Sequence, residues 1–415
     1  MLFWCVAPAF GTAQDLGYAR QAIDTLCSPA MHGRGYVQHG DELAANYIGS
    51  EYYRHGLQRF GNGYYQAFEM AINTFPGKLS VALNGRALTP GIDFLVGPQS
   101  SGVEGTFDVV VVDSQQLHAS GSQKEVTRES LSGKFVLLDS KGLDEDEARF
   151  IRSMERNPFN AKGIIRIVEE KLTHSLAQQN AGFAVIDVLR SSLPEDPTTI
   201  TLNVENRFLP RHEARNVIGY VPGTKRPNQY LVFTAHYDHL GRMGTDTYFP
   251  GANDNASGTA MLLDLARHYA ANPPEQSVVF MAFAGEEAGI LGSQFYTEHP
   301  LFPLDSIQFL LNIDLMGNGE EGITVVNGSV WQDAFDQLKD ISDSAGYLVK
   351  VKRRGKARNS DHYFFSEKGV PAFFIYTLGK HKAYHDIYDT SEALPLVEYE
   401  DLFRLLTAFG KAYGN

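Results

Sequence analysis

SVVFMAFAGEEAGILGS, residues 277–293, joins an apolar run to two adjacent acids, Glu286 and Glu287. The run before Gly285 predicts a buried strand, because a strand covered on both faces reads as a continuous hydrophobic segment. Two neighbouring carboxylates at the end of such a strand repel each other and lose hydration, which is costly unless a partner compensates. The stretch therefore raises the question whether solvent covers both acids or a cation lies beside them.

The chain after Glu213 alternates between two kinds of segment. Strand-like runs lie at 216–223, 229–241, 309–317 and 322–328, and helix-like stretches lie at 257–270, 329–346 and 360–369. This alternation is typical of a largely parallel sheet with helices on both faces. Residues 397–414 have apolar side chains at helical spacing and predict a packing helix. The expected fold class is α/β.

A middle region, residues 77–204, has a different pattern. Its short β-type runs at 107–113, 133–139, 162–168 and 184–189 are broken by Gly, Ser and charged turns, with one helix candidate at 144–155. Before it, residues 15–26 and 41–56 predict two helices. We therefore expect one α/β domain built from residues 14–76 and 205–415, interrupted by a separate domain at residues 77–204.

Composition narrows the class of protein. A formal net charge of -13 argues against a nucleic-acid surface, which needs clustered Lys and Arg. The 43% hydrophobic and 12% aromatic content can support large cores. No segment reaches the roughly 18 apolar residues of a membrane-spanning helix. The sequence gives no oligomeric state.

The first 13 residues predict a secretory signal peptide. MLFWCVAPAFGTA is an apolar run followed by small residues, although the basic leader is missing. Cleavage after Ala13 would remove Cys5 and leave Cys27 without an internal partner. We expect an exported protein, periplasmic or extracellular.

Histidines and acids follow several of the predicted strands. In an open α/β sheet, ligands lie beyond the carboxyl ends of the strands. The residues at such positions are His236, Asp238, Asp254, Glu286, Glu287, Asp314 and His385. Each alone has a simpler interpretation, such as a helix cap or a solvated acid. Together they predict one functional site.

The chemistry of this set fits two zinc ions. Zinc takes His nitrogen and carboxylate oxygen, and a pair of ions needs a bridging carboxylate. We predict that Asp254 bridges, that His236 and Asp314 complete one ion, and that Glu287 and His385 complete the other. Asp238 is expected to orient a ligand histidine. Glu286 then remains free to act as the general base toward a metal-activated water.

The ordered motifs HYDH, GANDNASG, FAGEEAGILGS, NIDLMG and YHDIYDT resemble a known family. They are similar to the co-catalytic dizinc metallopeptidases of the bacterial leucyl aminopeptidase and aminopeptidase Y type, the zinc exopeptidases of peptidase family twenty-eight. SPAMHGRGYVQHGDELAANYIGSEYYRHGL resembles the start of these enzymes. The resemblance implies a phosphorylase/hydrolase-like fold with a mixed central sheet, release of N-terminal residues from peptide substrates, and the site roles given above. It also implies a cis Asp254–Asn255 peptide.

Three further features are compared with the same family. Residues 77–204 resemble a protease-associated domain, and a spacer or a substrate-restricting lid fits them equally well. Tyr384 precedes His385 and resembles a tyrosine that holds the developing oxyanion in some relatives, although it could equally be a packing aromatic. Asp361 lies in a motif near the family's site and is expected to cap a helix, not to bind metal.

Other functions stay open at this stage. A non-catalytic receptor-like homologue would usually have lost ligands that are present here. Glutaminyl cyclisation uses a single zinc on a related fold. A carboxypeptidase needs a cation for the terminal carboxylate, and residues 353–360, RRGKARNS, offer several, although a solvated basic loop is the simpler interpretation.

Overall fold

Two eight-stranded sheets organise the part of the chain that the structure, a computed structural model, describes: residues 16–113 and 131–413. The predicted signal peptide at residues 1–13 lies outside these ranges. The helices are α1 (Leu16–Cys27), α2 (Gly40–Arg54), α3 (Glu145–Met154), α4 (Gly258–Ala271), α5 (Leu291–Glu298), α6 (Gln332–Ala345), α7 (His362–Glu367) and α8 (Tyr399–Tyr413). Those predicted from periodicity are confirmed to within three residues at the ends that the structure describes.

The first sheet has the order β1-β10-β14-β11-β15-β18-β16-β17. Its strands are β1 (Tyr65–Thr74), β10 (Arg207–Val221), β11 (Arg226–His236), β14 (Gln276–Phe283), β15 (Ile307–Asp314), β16 (Ile323–Val326), β17 (Val351–Arg353) and β18 (Ala372–Thr377). The four central strands run parallel, whereas β10 and β16 pair antiparallel with the outer strands of that group. The sheet is therefore mixed.

Helices cover both faces of the first sheet. Alternate residues of β11 divide between two cores, with Leu231 and Phe233 on one face and Val232 on the other. The first core also holds apolar residues of α1, α2, α4, α6 and α8, and the second holds Tyr296 of α5 and Phe365 of α7. Burial on both faces explains why the central strands read as unbroken apolar runs.

The second sheet has the order β3-β2-β9-β5-β6-β7-β8-β4. Its strands are β2 (Leu79–Leu83), β3 (Arg86–Leu88), β4 (Phe94–Val96), β5 (Val103–Val112), β6 (Phe135–Leu138), β7 (Gly163–Val168), β8 (Ala184–Leu189) and β9 (Thr199–Val204). All of them lie between β1 and β10 in the chain. A small two-stranded sheet, β12 (Arg242–Met243) with β13 (Thr247–Tyr248), follows β11.

The two large sheets share apolar contacts. One core of the second sheet includes Leu240, Met243 and Phe249, which belong to the loop region after β11. The second sheet therefore packs against the loops at the carboxyl end of the first. Within the described ranges, every helix is too short or too polar to traverse a bilayer.

Candidate metal centre

The predicted site residues meet at the carboxyl edge of the first sheet. His236 is the last residue of β11 and Asp314 the last of β15, while Glu286 and Glu287 follow β14. These three strands are neighbours, in the order β14-β11-β15. Parallel strands thus bring side chains that are far apart in the sequence to one end of the sheet.

Two further residues come from connecting segments. Asp254 lies in a short kinked segment, Ala252–Ser257, that leads into α4, and its peptide bond to Asn255 is cis, as the resemblance implied. His385 lies in the loop after β18. The structure brings both beside the strand-end residues.

The ligand atoms form two groups that share Asp254. In the first, His236 Nε2 lies 3.3 Å from Asp254 Oδ1 and 3.4 Å from Asp314 Oδ2. In the second, His385 Nε2 lies 3.1 Å from both Asp254 Oδ2 and Glu287 Oε2. Two ligands of one tetrahedral zinc at about 2.0–2.1 Å are separated by about 3.3 Å, so these spacings fit co-ligands.

His239 was given no role by the sequence, although it lies in the HYDH motif. Its ligand atom can also converge with those of Asp254 and Glu287 within 4.8 Å. However, its Nδ1 lies only 2.7 Å from Glu287 Oε1, which is a hydrogen-bond distance and too short for two ligands of one zinc. We therefore interpret His239 as a donor to the Glu287 oxygen that faces away from His385.

Burial opposes the ionisation of these acids, and the neighbouring histidines offset this effect at two of them. Although burial opposes their ionisation, hydrogen bonds from the neighbouring histidines hold the pKa of Asp254 well below its usual range. His385 and His239 likewise lower the pKa of Glu287 to about 2 despite burial and the charge of Asp254. Asp314 Oδ1 is buried and has no hydrogen-bond partner among the described residues. The donor set is therefore suited to divalent cations with an affinity for His and carboxylate.

Glu286 differs from its neighbour. It belongs to neither ligand group. Burial raises the pKa of Glu286 well above its usual range, and the charges of Asp361, Glu287 and Asp314 act in the same direction. A carboxyl group with a raised pKa is suited to accept and hold a proton near neutral pH.

Asp238 supports the acid pair as well as the histidine. Its carboxylate accepts hydrogen bonds from the backbone N–H of Glu286 at 3.2 Å and of Glu287 at 3.3 Å, and from the hydroxyl of Tyr36 at 2.8 Å. Its Oδ1 lies 3.7 Å from His236 Nδ1, farther than the backbone oxygen of Asp238 itself, at 3.2 Å. In this structure the Asp238 side chain therefore fixes mainly the turn that carries the two glutamates.

Two other supporting residues had no predicted role. Arg34 is fully buried and donates to the backbone oxygens of Tyr237, Pro250 and Gly251, which ties the loop after β11 to the loop before Asp254. Asp389 accepts hydrogen bonds from the backbone N–H of Asp254 at 3.0 Å and from that of the preceding residue. Both lie in the motifs HGRG and YHDIYDT, which was the only signal available for them.

A cavity of about 250 Å³ opens onto the two groups. Besides the site residues it is lined by Leu315, Asn359, Phe374, Tyr376 and Tyr384. Tyr384 is 46% exposed and stacks on His385 with ring centroids 3.9 Å apart. The cavity thus combines a wall of acids with a wall of mainly apolar and aromatic side chains.

Asp361 does not cap α7 with its side chain, contrary to one sequence-based interpretation. Its carboxyl is instead fully buried, and this burial raises its pKa to about 7. It belongs to neither ligand group.

Comparison with known families agrees with this geometry. The sequence profile described as Peptidase family M28 matches residues 216–409, the segment that contains every predicted ligand. Residues 216–409, here called the M28 domain, are similar to this family over slightly less than half of the chain.

Similar proteins extend the match beyond this M28 domain. The chain is 26% identical over 268 residues to the aminopeptidase YwaD of Bacillus subtilis, which covers 60% of this chain and 54% of that protein. A probable zinc metalloprotease of Pyrenophora teres f. teres is 35% identical over 26% of this chain and 23% of its own. The chain therefore spans about half or less of the length of these curated relatives.

A solved structure shares the fold of the described residues. BSAP, a zinc aminopeptidase from Bacillus subtilis, superposes with a TM-score of 0.71 over 96% of this chain and 95% of its own, at 21% sequence identity. The fold of the M28 domain and of the second sheet is thus shared with that structure.

Proposed function

We propose that this protein is a zinc-dependent aminopeptidase that hydrolyses the N-terminal residue of peptides. The observation that carries the proposal is the pair of ligand groups sharing Asp254, with Glu286 beside them but in neither group. Two similar proteins, an aminopeptidase and a probable zinc metalloprotease, agree with this activity.

We propose two zinc ions in each chain. His236, Asp314 and one Asp254 oxygen would hold the first, and His385, Glu287 and the other Asp254 oxygen the second. The zinc ions would supply Lewis acidity and lower the pKa of the attacking water. Asp238 and His239 would hold the ligand residues in place through the contacts described above.

The remaining steps fall to residues of the chain. Glu286 lines the cavity and would take a proton from the attacking water, then pass it to the leaving amine. Leu315, Phe374 and Tyr376 would receive an apolar side chain of the substrate. Tyr384, at the exposed rim and stacked on His385, would donate a hydrogen bond from its hydroxyl to the developing oxyanion.

The N-terminal amine of a peptide is a cation at neutral pH. Of the acids that line the cavity, Asp254 and Asp314 would bind zinc, and Glu286 remains to attract a positive charge. This match favours release of N-terminal residues over carboxypeptidase activity.

Carboxypeptidase activity is the second candidate because of one contact. Within 353–360, Arg353 pairs with Asp336 and Lys356 with Glu367. Arg354, however, donates to the hydroxyl of Tyr376 at 3.1 Å, and Tyr376 lines the cavity. One guanidinium therefore lies close enough to the cavity wall to meet a terminal carboxylate.

A matched peptide panel separates these activities. The purified protein is assayed on one sequence with free ends, with an acetylated amino end and with an amidated carboxyl end, and zinc is quantified on the same sample. We expect stepwise cleavage that fails on the acetylated peptide and stops on chelation. Cleavage that survives acetylation and fails on amidation would indicate a carboxypeptidase. A protein with two bound ions that cleaves none of the peptides would refute the peptidase proposal, and cyclase or binding roles would then be tested.

Two features of the wider chain also stay proposals. We propose that residues 77–204, whose strands form the second sheet, are a protease-associated-like domain inserted into the catalytic domain of residues 14–76 and 205–415. We propose that the protein is exported, on the basis of the apolar run at residues 1–13. Sequencing the amino end of the secreted protein tests the second proposal, since cleavage would follow Ala13.

A further inference from the structure

A segment of the second sheet's domain reaches the metal centre. Residues 171–178, here called the strap, connect β7 to β8 without forming a helix or strand. Two of its side chains, Leu172 and His174, are buried. The ring of His174 stacks on Phe249, with centroids 4.9 Å apart, and Phe249 belongs to the loop region after β11. The strap is therefore packed against the M28 domain.

The backbone of the strap pairs with the ligand His385. The N–H of His174 donates to the backbone oxygen of His385 at 2.8 Å. In return, Nδ1 of the His385 ring lies 3.0 Å from the backbone oxygen of His174. A carbonyl can only accept, so this contact requires a proton on Nδ1, and in the neutral ring that binds metal Nε2 then carries the lone pair. Nε2 is the atom that faces Asp254 and Glu287.

Side chains of the strap hold the same loop at its flanks. Lys171 Nζ donates to the backbone oxygens of Lys382 at 2.9 Å and Tyr384 at 3.0 Å, and pairs with Asp386 at 2.7 Å. His385 between them has a φ of 54°, a left-handed conformation that is uncommon for a residue with a side chain. The strap thus spans the turn in which the ligand lies.

The far end of the strap contacts the other loop of the centre. Gln178 Nε2 donates to the backbone oxygen of Ala288 at 2.8 Å, directly after Glu287. The backbone oxygen of Ala177 accepts from Asn73 in β1 at 2.8 Å, which anchors the strap to the first sheet. One segment therefore touches the loops of both ligands, His385 and Glu287.

We propose that the strap is a positioning element of the metal centre: it fixes the tautomer and the place of His385 relative to Glu287. The second sheet's domain then contributes directly to metal binding. Partners that orient metal-binding histidines typically change metal affinity about 10–100-fold when removed. The inference rests on the proposed function, because it assigns His385 and Glu287 to a metal ion.

The test measures metal affinity, so that it does not depend on peptidase activity. Zinc titration by calorimetry compares the metal-stripped wild type with Lys171→Met, Lys171→Arg and the double variant Lys171→Met/Gln178→Leu. The matched control is Lys141→Met, an exposed lysine of the same domain outside the strap. Near-ultraviolet circular dichroism and thermal unfolding of the stripped proteins show whether each variant is folded.

We expect zinc affinity at one of two sites to fall about tenfold in Lys171→Met and further in the double variant, with Lys171→Arg close to the wild type. The control should bind as the wild type does. Unchanged zinc affinity in the folded double variant would overturn the proposal. Suppose the wild type binds two zinc ions, the variants lose affinity as expected, and no peptide is cleaved. The proposed function would then be refuted, whereas the proposed role of the strap would be supported.

A second measurement needs no strap variant. In zinc-loaded protein with 15N-labelled histidine, the ring signals of His385 are assigned by their loss in His385→Asn. We expect a neutral ring with the proton on Nδ1 and zinc on Nε2. A proton on Nε2 would contradict the bond to His174 and overturn the proposal.

Discussion

Replacing Glu286 by Gln should greatly lower kcat while the protein retains its bound zinc. The substitution preserves size and removes the proton acceptor, and Glu286 belongs to neither ligand group. General acid–base catalysis contributes about 10²–10⁴-fold. The expected loss in kcat is therefore two to four powers of ten, or about 2.7–5.4 kcal/mol in the activation free energy.

The same substitution should leave the metal-free protein at least as stable as the metal-free wild type. Burial and the charges of Asp361, Glu287 and Asp314 all raise the pKa of Glu286, which means that they destabilise its carboxylate. A neutral amide at this position avoids that repulsion. Thermal unfolding of the chelated Glu286→Gln protein should therefore show a midpoint equal to or above that of the wild type.

The neighbouring residue supplies the control for this prediction. Glu287→Gln is the same chemical change one position along the chain, at a carboxylate whose Oε2 lies 3.1 Å from His385 Nε2. It should lose zinc, whereas Glu286→Gln should keep two ions by elemental analysis. A Glu286→Gln protein that retains more than a tenth of the wild-type kcat, or that loses zinc as Glu287→Gln does, would refute the assignment of roles.

Other consequences can be tested in the same preparations. Asp254→Asn should weaken both ions together because each oxygen of Asp254 faces a different group, and zinc titration should then show no site of wild-type affinity. Phe280→Ala should destabilise the protein by about 3–5 kcal/mol, as seen by denaturant unfolding, since Phe280 is fully buried in the first core. Arg190→Met should cost about 1 kcal/mol at neutral pH, because Arg190 donates to the partly buried Asp139. Arg190 lowers the pKa of Asp139 below 3.8, so this difference should be present above that pH and vanish as the pH falls through the folded-state value; an unchanged difference at low pH would contradict it.

Strands at the centre of the first sheet were predicted correctly, and the residues proposed for the site lie at their carboxyl ends, for a common reason. Strands such as β14 are buried on both faces and leave an apolar signature, and the residues that follow them lie at the edge where ligands bind. The edge strand β1 has no such signature. In β1, exposed and buried residues alternate irregularly around a bulge near Met70, so the strand and its antiparallel pairing with β10 were not predicted.

Contacts across the fold were beyond the reach of pattern reasoning. The bond from His239 to Glu287 and the bonds of Asp389 to the backbone near Asp254 depend on which loops meet in space. The strap is the clearest case, because the carbonyl of His174 acts through the backbone and leaves no trace in residue type. Sequence identifies ligands by their chemistry, whereas their supports follow from the tertiary structure.

The way the second sheet is joined to the first has a practical consequence for shortening the chain. Thr74 of β1 is paired with Arg207 of β10. The residues between them therefore begin and end at neighbouring positions on two adjacent strands. Topologically, a tight turn could replace them without altering the register of the first sheet. Such an excision would nevertheless uncover Leu240, Met243 and Phe249 and remove the partner of His385 Nδ1. The chain could be closed without this segment, but the apolar cover and the contact to His385 would be lost. A shortened version of this protein would therefore need a designed replacement for residues 171–178.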